Sequence, residues 1–177
     1  MRFRCAIVVF VAAGSLFSLA QNNNALDAKS ASPAAYNSYI PVHKFDPKRD
    51  AAADIQAAIT EAQKTGKRII LDVGGDWCQY CHQMDNFFHD HSDTLKFREQ
   101  NFITVAIFYG SVNKNEKALS HYSKVLGIPH FFVLEKDGTL LHSQHLTELR
   151  VNGNYNPDKM EDFLARWAPT PSKRKEE

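Results

Sequence analysis

The stretch Lys67-Arg-Ile-Ile-Leu-Asp72-Val-Gly-Gly-Asp76-Trp-Cys78-Gln-Tyr-Cys81-His82 decides the fold. Arg68 to Val73 is a short apolar run rich in β-branched residues, which predicts a buried strand. Gly74 and Gly75 end it. Beyond them Met84, Phe87, Phe88 and His91 recur at helical spacing. Cys78 and Cys81 therefore fall where a buried strand gives way to a helix.

Two cysteines at C-x-x-C spacing at a helix start can close a small disulfide ring. Free amides and the helix dipole favour a thiolate on the first sulfur. A thiolate attacks a partner disulfide, and the second cysteine resolves the mixed disulfide. This chemistry assigns Cys78 as nucleophile and Cys81 as resolving thiol. Three rival readings stay open. The pair is an inert disulfide in a binding module, although so short a ring adds little loop entropy. Cys78-x-x-Cys81-His82 is also the haem-attachment pattern, although small c-type cytochromes are helical. A metal site of Cys78, Cys81, His82 and His89 has loose spacing and no second C-x-x-C to support it. The expectation is no metal and no cofactor beyond the redox-active disulfide.

Working outward, Ile55, Ala58, Ile59 and Ala62 mark an amphipathic helix ending at Gly66. Phe102 to Phe108 reads as a second buried strand. Ala118, Leu119, Tyr122, Val125 and Leu126 mark a further helix stopped by Gly127. Phe131 to Leu134 and Thr139 to Ser143 flank Glu135-Lys136-Asp137-Gly138, an Asp-Gly hairpin signal. Met160, Phe163, Leu164 and Trp167 give a last helix. Helices between strands imply parallel pairs, and the hairpin adds an antiparallel edge. The fold class is α/β, a mixed central sheet with helices on both faces.

The N-terminus reads as an address. Arg2 and Arg4 precede an uncharged, mostly apolar run from Cys5 to Leu19, and Ser18-Leu19-Ala20 supplies small residues for cleavage. This is the layout of a signal peptide over residues 1–20, cleaved near Ala20, which implies a periplasmic or otherwise exported protein. The apolar run is shorter than the roughly 20 residues of a spanning helix. Removal of these 20 residues from 177 leaves 157, with 19 basic and 20 acidic residues and two of the three cysteines. No large basic surface is implied, so nucleic acid is not an expected partner. Two cysteines are too few for a stapled scaffold or a four-cysteine metal site. Residues 21–45, rich in Asn, Ala and Ser at their start, read as a flexible segment. Residues 46–168 form the domain, and 169–177 a polar tail.

Trp77-Cys78-x-x-Cys81 after a strand carrying Asp72, with Gly127-Ile128-Pro129 before another strand, resembles the thioredoxin superfamily. Gly74-Gly75-Asp76-Trp77-Cys78-x-x-Cys81-His82 is similar to exported thioredoxin-like proteins related to the C-terminal domain of the transmembrane disulfide reductase. The resemblance extends to Lys67–Phe88 and Ser143–Trp167. It implies a thioredoxin fold and a monomeric enzyme acting on protein thiols and disulfides, with a membrane electron donor. It also implies that Asp72 is the buried acid beneath the cysteines. A buried carboxylate has a raised pKa and can take a proton near neutrality, which suits activation of Cys81. By the same resemblance Pro129 is a cis-proline facing the disulfide, and Trp77, Ile128 and Pro129 contact substrate. A cis X-Pro bond leaves an unpaired edge for an added peptide strand. The resemblance also implies that Gln79 and Tyr80, between the cysteines, tune the redox potential; His82 either joins them by stabilising a thiolate when protonated or points to solvent. The chain departs from thioredoxin itself in having Gln79-Tyr80 for Gly-Pro, His130 for the usual Thr, and Gly74-Gly75 for a bulky pair.

Overall fold

Asp50 opens the first helix, its carboxylate accepting hydrogen bonds from the backbone N–H groups of Ala52 and Ala53. The helix α1 (Ala51–Thr65) buries Ile55, Ala58 and Ala62, and Gly66 caps its end. The chain then enters β1 (Arg68–Gly74), α2 (Gln79–Asp90), α3 (Ser92–Asn101) and β2 (Phe102–Phe108). A one-turn helix, α4 (Glu116–Leu119), precedes β3 (His130–Leu134) and β4 (Leu140–His145). A 3-10 turn (Leu146–Leu149), a small hairpin of β5 (Arg150–Val151) and β6 (Asn154–Tyr155), and α5 (Pro157–Trp167) complete it. The computed structural model describes residues 39–170. The leader expected over 1–20, most of the segment 21–45 and the tail beyond 170 lie outside the described residues.

The main sheet has the order β2-β1-β3-β4. β1 runs parallel to β2 and antiparallel to β3, and β3 runs antiparallel to β4. Successive β1 residues serve opposite faces. Ile69, Leu71 and Val73 join α1 in one core with Phe132 and Leu134. Ile70 joins Met84, Phe87 and Phe88 of α2 and Met160, Phe163 and Leu164 of α5 in the other. With both faces covered, the strand has no polar face to show, hence its continuous apolar run. The mixed sheet with helices on both faces is therefore the architecture adopted.

Three local features differ from expectation. The apolar spacing of residues 118–126 does not extend into a long helix. It closes after one turn at Leu119, and Tyr122 reaches the core from a turn, its ring 5.6 Å from that of Phe132. The spacing reported burial, and a non-helical turn satisfies it. β2 and β3 are not a parallel pair either. The β2–β3 connection stays at the end of the sheet where β2 finishes, so β3 re-enters antiparallel to β1. Ordered packing also begins before residue 46: Val42 is buried and bridges to Val105, and Phe45 packs on the core. α3 stands apart from these three: only Thr94 on it is buried, so no apolar stripe marks it in the chain.

Candidate active site

β1 delivers the chain to the site. Its last residue, Gly74, has no side chain because Cys81 occupies that space: a Cβ there would lie 2.8 Å from Cys81 Sγ and 2.7 Å from Phe45 Cζ. A tight turn follows, with Cys78 N–H donating to Gly75 O at 2.9 Å. Cys78 is the N-cap of α2, and its sulfur accepts from the Cys81 backbone N–H at 3.1 Å. Cys78 and Cys81 form a disulfide with Cα atoms 5.2 Å apart. Both are buried, Cys78 at 5% exposure and Cys81 at 1%. The more accessible cysteine is thus the one at the helix N-terminus, where backbone N–H groups and the dipole favour negative charge.

Asp72 lies two residues before Gly74 on the same face of β1, one strand repeat below Cys81. It is buried, and its Oδ1 has no hydrogen-bond partner. Desolvation pushes its carboxyl from 3.8 up to about 7; the Arg98 guanidinium opposes the rise and Asp85 adds to it. A carboxyl so placed can exchange a proton near neutral pH.

The Ile128–Pro129 peptide is cis. Val73 pairs with His130 across the sheet, so Pro129 stands level with Gly74, at the height of the cysteines. Ile128 is half-buried against the α1 core. His130 is buried, and its Nε2 shares a hydrogen bond of 2.8 Å with Ser143 Oγ. Desolvation, with His145 and His142 nearby, pulls it from 6.5 down to about 4, so it is neutral at neutral pH. Trp77 is 61% exposed. Its indole lies across Gly75 and Gly110, where added Cβ atoms would meet Nε1 at 2.5 and 2.9 Å.

The residues between and beside the cysteines diverge. Gln79 is exposed. Tyr80 is 41% exposed and turns towards the β5–β6 hairpin, where the Arg150 guanidinium covers its ring at 4.1 Å. The His82 ring folds back, its Nε2 donating to Asp76 O at 2.7 Å. His82 thus ties the α2 surface to the preceding turn. Among the described residues, no group of three or more His, Cys, Asp or Glu is clustered as a metal site would require. Phe45, Arg98, Arg150 and Tyr155 belong to this region without having been picked out from the sequence. Asn152-Gly153 was the available signal for the hairpin that brings Arg150 and Tyr155. Phe45 carried none.

A mixed sheet carrying a cysteine pair at a strand–helix junction, with a cis-proline level with it, is the layout of a thioredoxin-like protein. Residues 50–136 match the family described as thioredoxin-like, and the chain carries a thioredoxin-like domain. It is 28% identical over 120 residues to the thiol:disulfide interchange protein DsbD of Pseudomonas fluorescens, a match covering 67% of this chain. The chain spans 19% of that relative's length. The disulphide isomerase of Xylella fastidiosa Temecula1 shares the fold at a TM-score of 0.60 and 24% identity, over 69% of this chain and 94% of that one. The oxidised C-terminal domain of Neisseria meningitidis DsbD does so at 0.54 and 21% identity, over 70% and 98%.

Proposed function

We propose that this protein is an exported thiol–disulfide oxidoreductase that reduces protein disulfides, cycling between the Cys78–Cys81 disulfide and the dithiol. The observation that carries the proposal is the N-cap disulfide itself, its first sulfur at the helix N-terminus and, one strand repeat below its second, a buried carboxyl whose Oδ1 has no hydrogen-bond partner.

In the reduced protein, the Cys78 thiolate attacks one sulfur of a substrate disulfide. A Cys78–substrate mixed disulfide forms, and the first substrate sulfur leaves as a thiolate. Asp72 accepts the Cys81 proton. The resulting Cys81 thiolate attacks Cys78 Sγ, forming the Cys78–Cys81 disulfide and releasing the second substrate thiolate. Two electrons pass to the substrate, whose thiolates take up protons. A dithiol donor then returns two electrons to the protein, and we assign that role to a membrane reductase. No cofactor is needed beyond the disulfide. Pro129 and Ile128 offer backbone to an extended substrate segment, and Trp77 offers an exposed aromatic face beside it. Export is supported by the sequence of residues 1–20. The protein acts as a monomer.

Trapping tests this. Cys81→Ser should accumulate mixed disulfides through Cys78 that dithiothreitol releases, and Cys78→Ser should accumulate none. Equal trapping by both variants would refute the assignment of nucleophile and resolving thiol. The reduction potential decides direction: a value near about −270 mV suits a reductant, and one near about −120 mV an oxidant.

A further inference from the structure

The β5–β6 hairpin is docked on the first turn of α2. It turns through Asn152 and Gly153, with φ of +50° and +86°, a two-residue turn that suits the twist of the flanking strands. From β5, Arg150 lays its guanidinium over the Tyr80 ring at 4.1 Å and lies 5.8 Å from the Tyr155 ring centre. Its Nη2 donates to Gln83 Oε1 at 3.3 Å and to Gly153 O. From β6, the Tyr155 hydroxyl donates to Tyr80 O at 3.3 Å. The hairpin thus grips Tyr80, one of the two residues between the cysteines, by its ring and by its carbonyl.

The charge held there is unusual in its surroundings. Arg150 is half-buried, and its Nε is buried without a partner. All its polar contacts are neutral oxygens, and among the described residues it forms no ion pair. It lies at the N-terminal turn of α2, the positive end of the helix dipole, and that turn carries no acidic residue. A cation here works against the dipole in the disulfide state. Two groups of this turn become anions during thiol–disulfide exchange: Cys81 in the resolving step, and Cys78, the N-cap sulfur, which is the attacking anion of the reduced protein.

We infer that Arg150 is a positioning residue for the cysteine chemistry, its guanidinium fixed over Tyr80 by the hairpin so that its charge favours the Cys78 thiolate and hence the dithiol form. This rests on the exchange chemistry proposed above. Tyr80 and Tyr155 supply the aromatic seat, which holds the guanidinium 4.1 Å from the Tyr80 ring centre and partly dehydrated. A half-buried charge is screened less than an exposed one. The other ionisable groups of the region are Cys81, Asp76, His82 and Asp85 on or around α2, Asp72 on β1, Arg98 on α3, and the Tyr80 and Tyr155 phenols. All are unchanged in the Arg150 variants below.

The test follows alkylation of Cys78 by iodoacetamide, an uncharged reagent, in the reduced full-length protein from pH 5 to 9. Arg150→Met keeps the length of the side chain and removes the charge. It should slow alkylation at pH 6–7 by roughly threefold to tenfold and converge with the parent above pH 9. Arg150→Lys should recover most of the rate, and Tyr80→Leu, which removes the seat, should slow it in the same direction. The dithiol–disulfide equilibrium of Arg150→Met against glutathione should move towards the disulfide by a similar factor. A merely structural hairpin would lower the thermal midpoint and leave the alkylation profile in place. An unchanged profile in folded Arg150→Met overturns the inference. If Arg150→Met does not fold, an unchanged profile in Tyr80→Leu overturns it. An unreactive parent Cys78 with no insulin reduction would instead overturn the underlying exchange chemistry, so the two failures are distinguishable.

Discussion

At the scale of single residues, Asp72 carries the sharpest consequences. Its carboxyl titrates at about 7 in the folded chain, against 3.8 for an ordinary aspartate, because burial penalises its charge. An acid raised in this way binds its proton more tightly when folded. The cost of ionising it is absent below about pH 3.8, grows as pH rises, and is complete above about pH 7. Asp72→Asn should therefore gain on the parent in stability between pH 4 and pH 8, by on the order of 2–4 kcal/mol. Chemical denaturation at the two pH values measures this, and a pH-independent difference would remove the buried charge as its cause. The same substitution should slow mixed-disulfide resolution by on the order of 10–100-fold at pH 7 and by less at pH 9, where hydroxide competes with the carboxylate as proton acceptor. Rapid-quench kinetics of the resolving step reads this directly, and equal slowing at both pH values speaks against proton transfer. Much of the residue scale was legible in the sequence. Spacing placed Cys78 and Cys81, and the family resemblance pointed to Asp72 as the buried acid beneath them. What Tyr80 touches was not legible, because its partner Arg150 is 70 positions further along the chain.

Among the elements, α1 shows how far local signals reach. Its start is fixed by Asp50, which accepts from two backbone N–H groups. Asp50→Ala should cost about 1 kcal/mol, lowering the thermal midpoint by roughly 3–5 °C. An unchanged midpoint would mean that the cap contributes nothing to α1. β1, β2, α1 and α5 were legible because each has a strong apolar pattern on a face that is in fact buried. α3 was not, since it presents almost no apolar face, and its position follows from α2 and β2 on either side. The residues after Leu119 mislead in the opposite sense. Their helical spacing is real, yet Leu126 is 75% exposed, and Tyr122 packs from a turn. Periodicity indicates which residues are buried more securely than it indicates the backbone that buries them.

For the whole molecule, the sheet order β2-β1-β3-β4 places β1 inside the sheet, and the candidate site gathers at its C-terminal end. The cysteine turn follows β1, Pro129 enters beside its end, and the hairpin closes over α2. The mixed class of the sheet could be read from the chain, since strands alternate with helices and an Asp-Gly turn joins the last pair. The antiparallel direction of β3 could not, because it depends on which end of the sheet the β2–β3 connection stays at. The central claim is that the Cys78–Cys81 pair performs thiol–disulfide exchange with Cys78 as nucleophile. Reduction of insulin with dithiothreitol as donor tests it most directly. The parent protein should accelerate the reaction and Cys78→Ser should fall to the uncatalysed rate. Full activity in Cys78→Ser would contradict the claim.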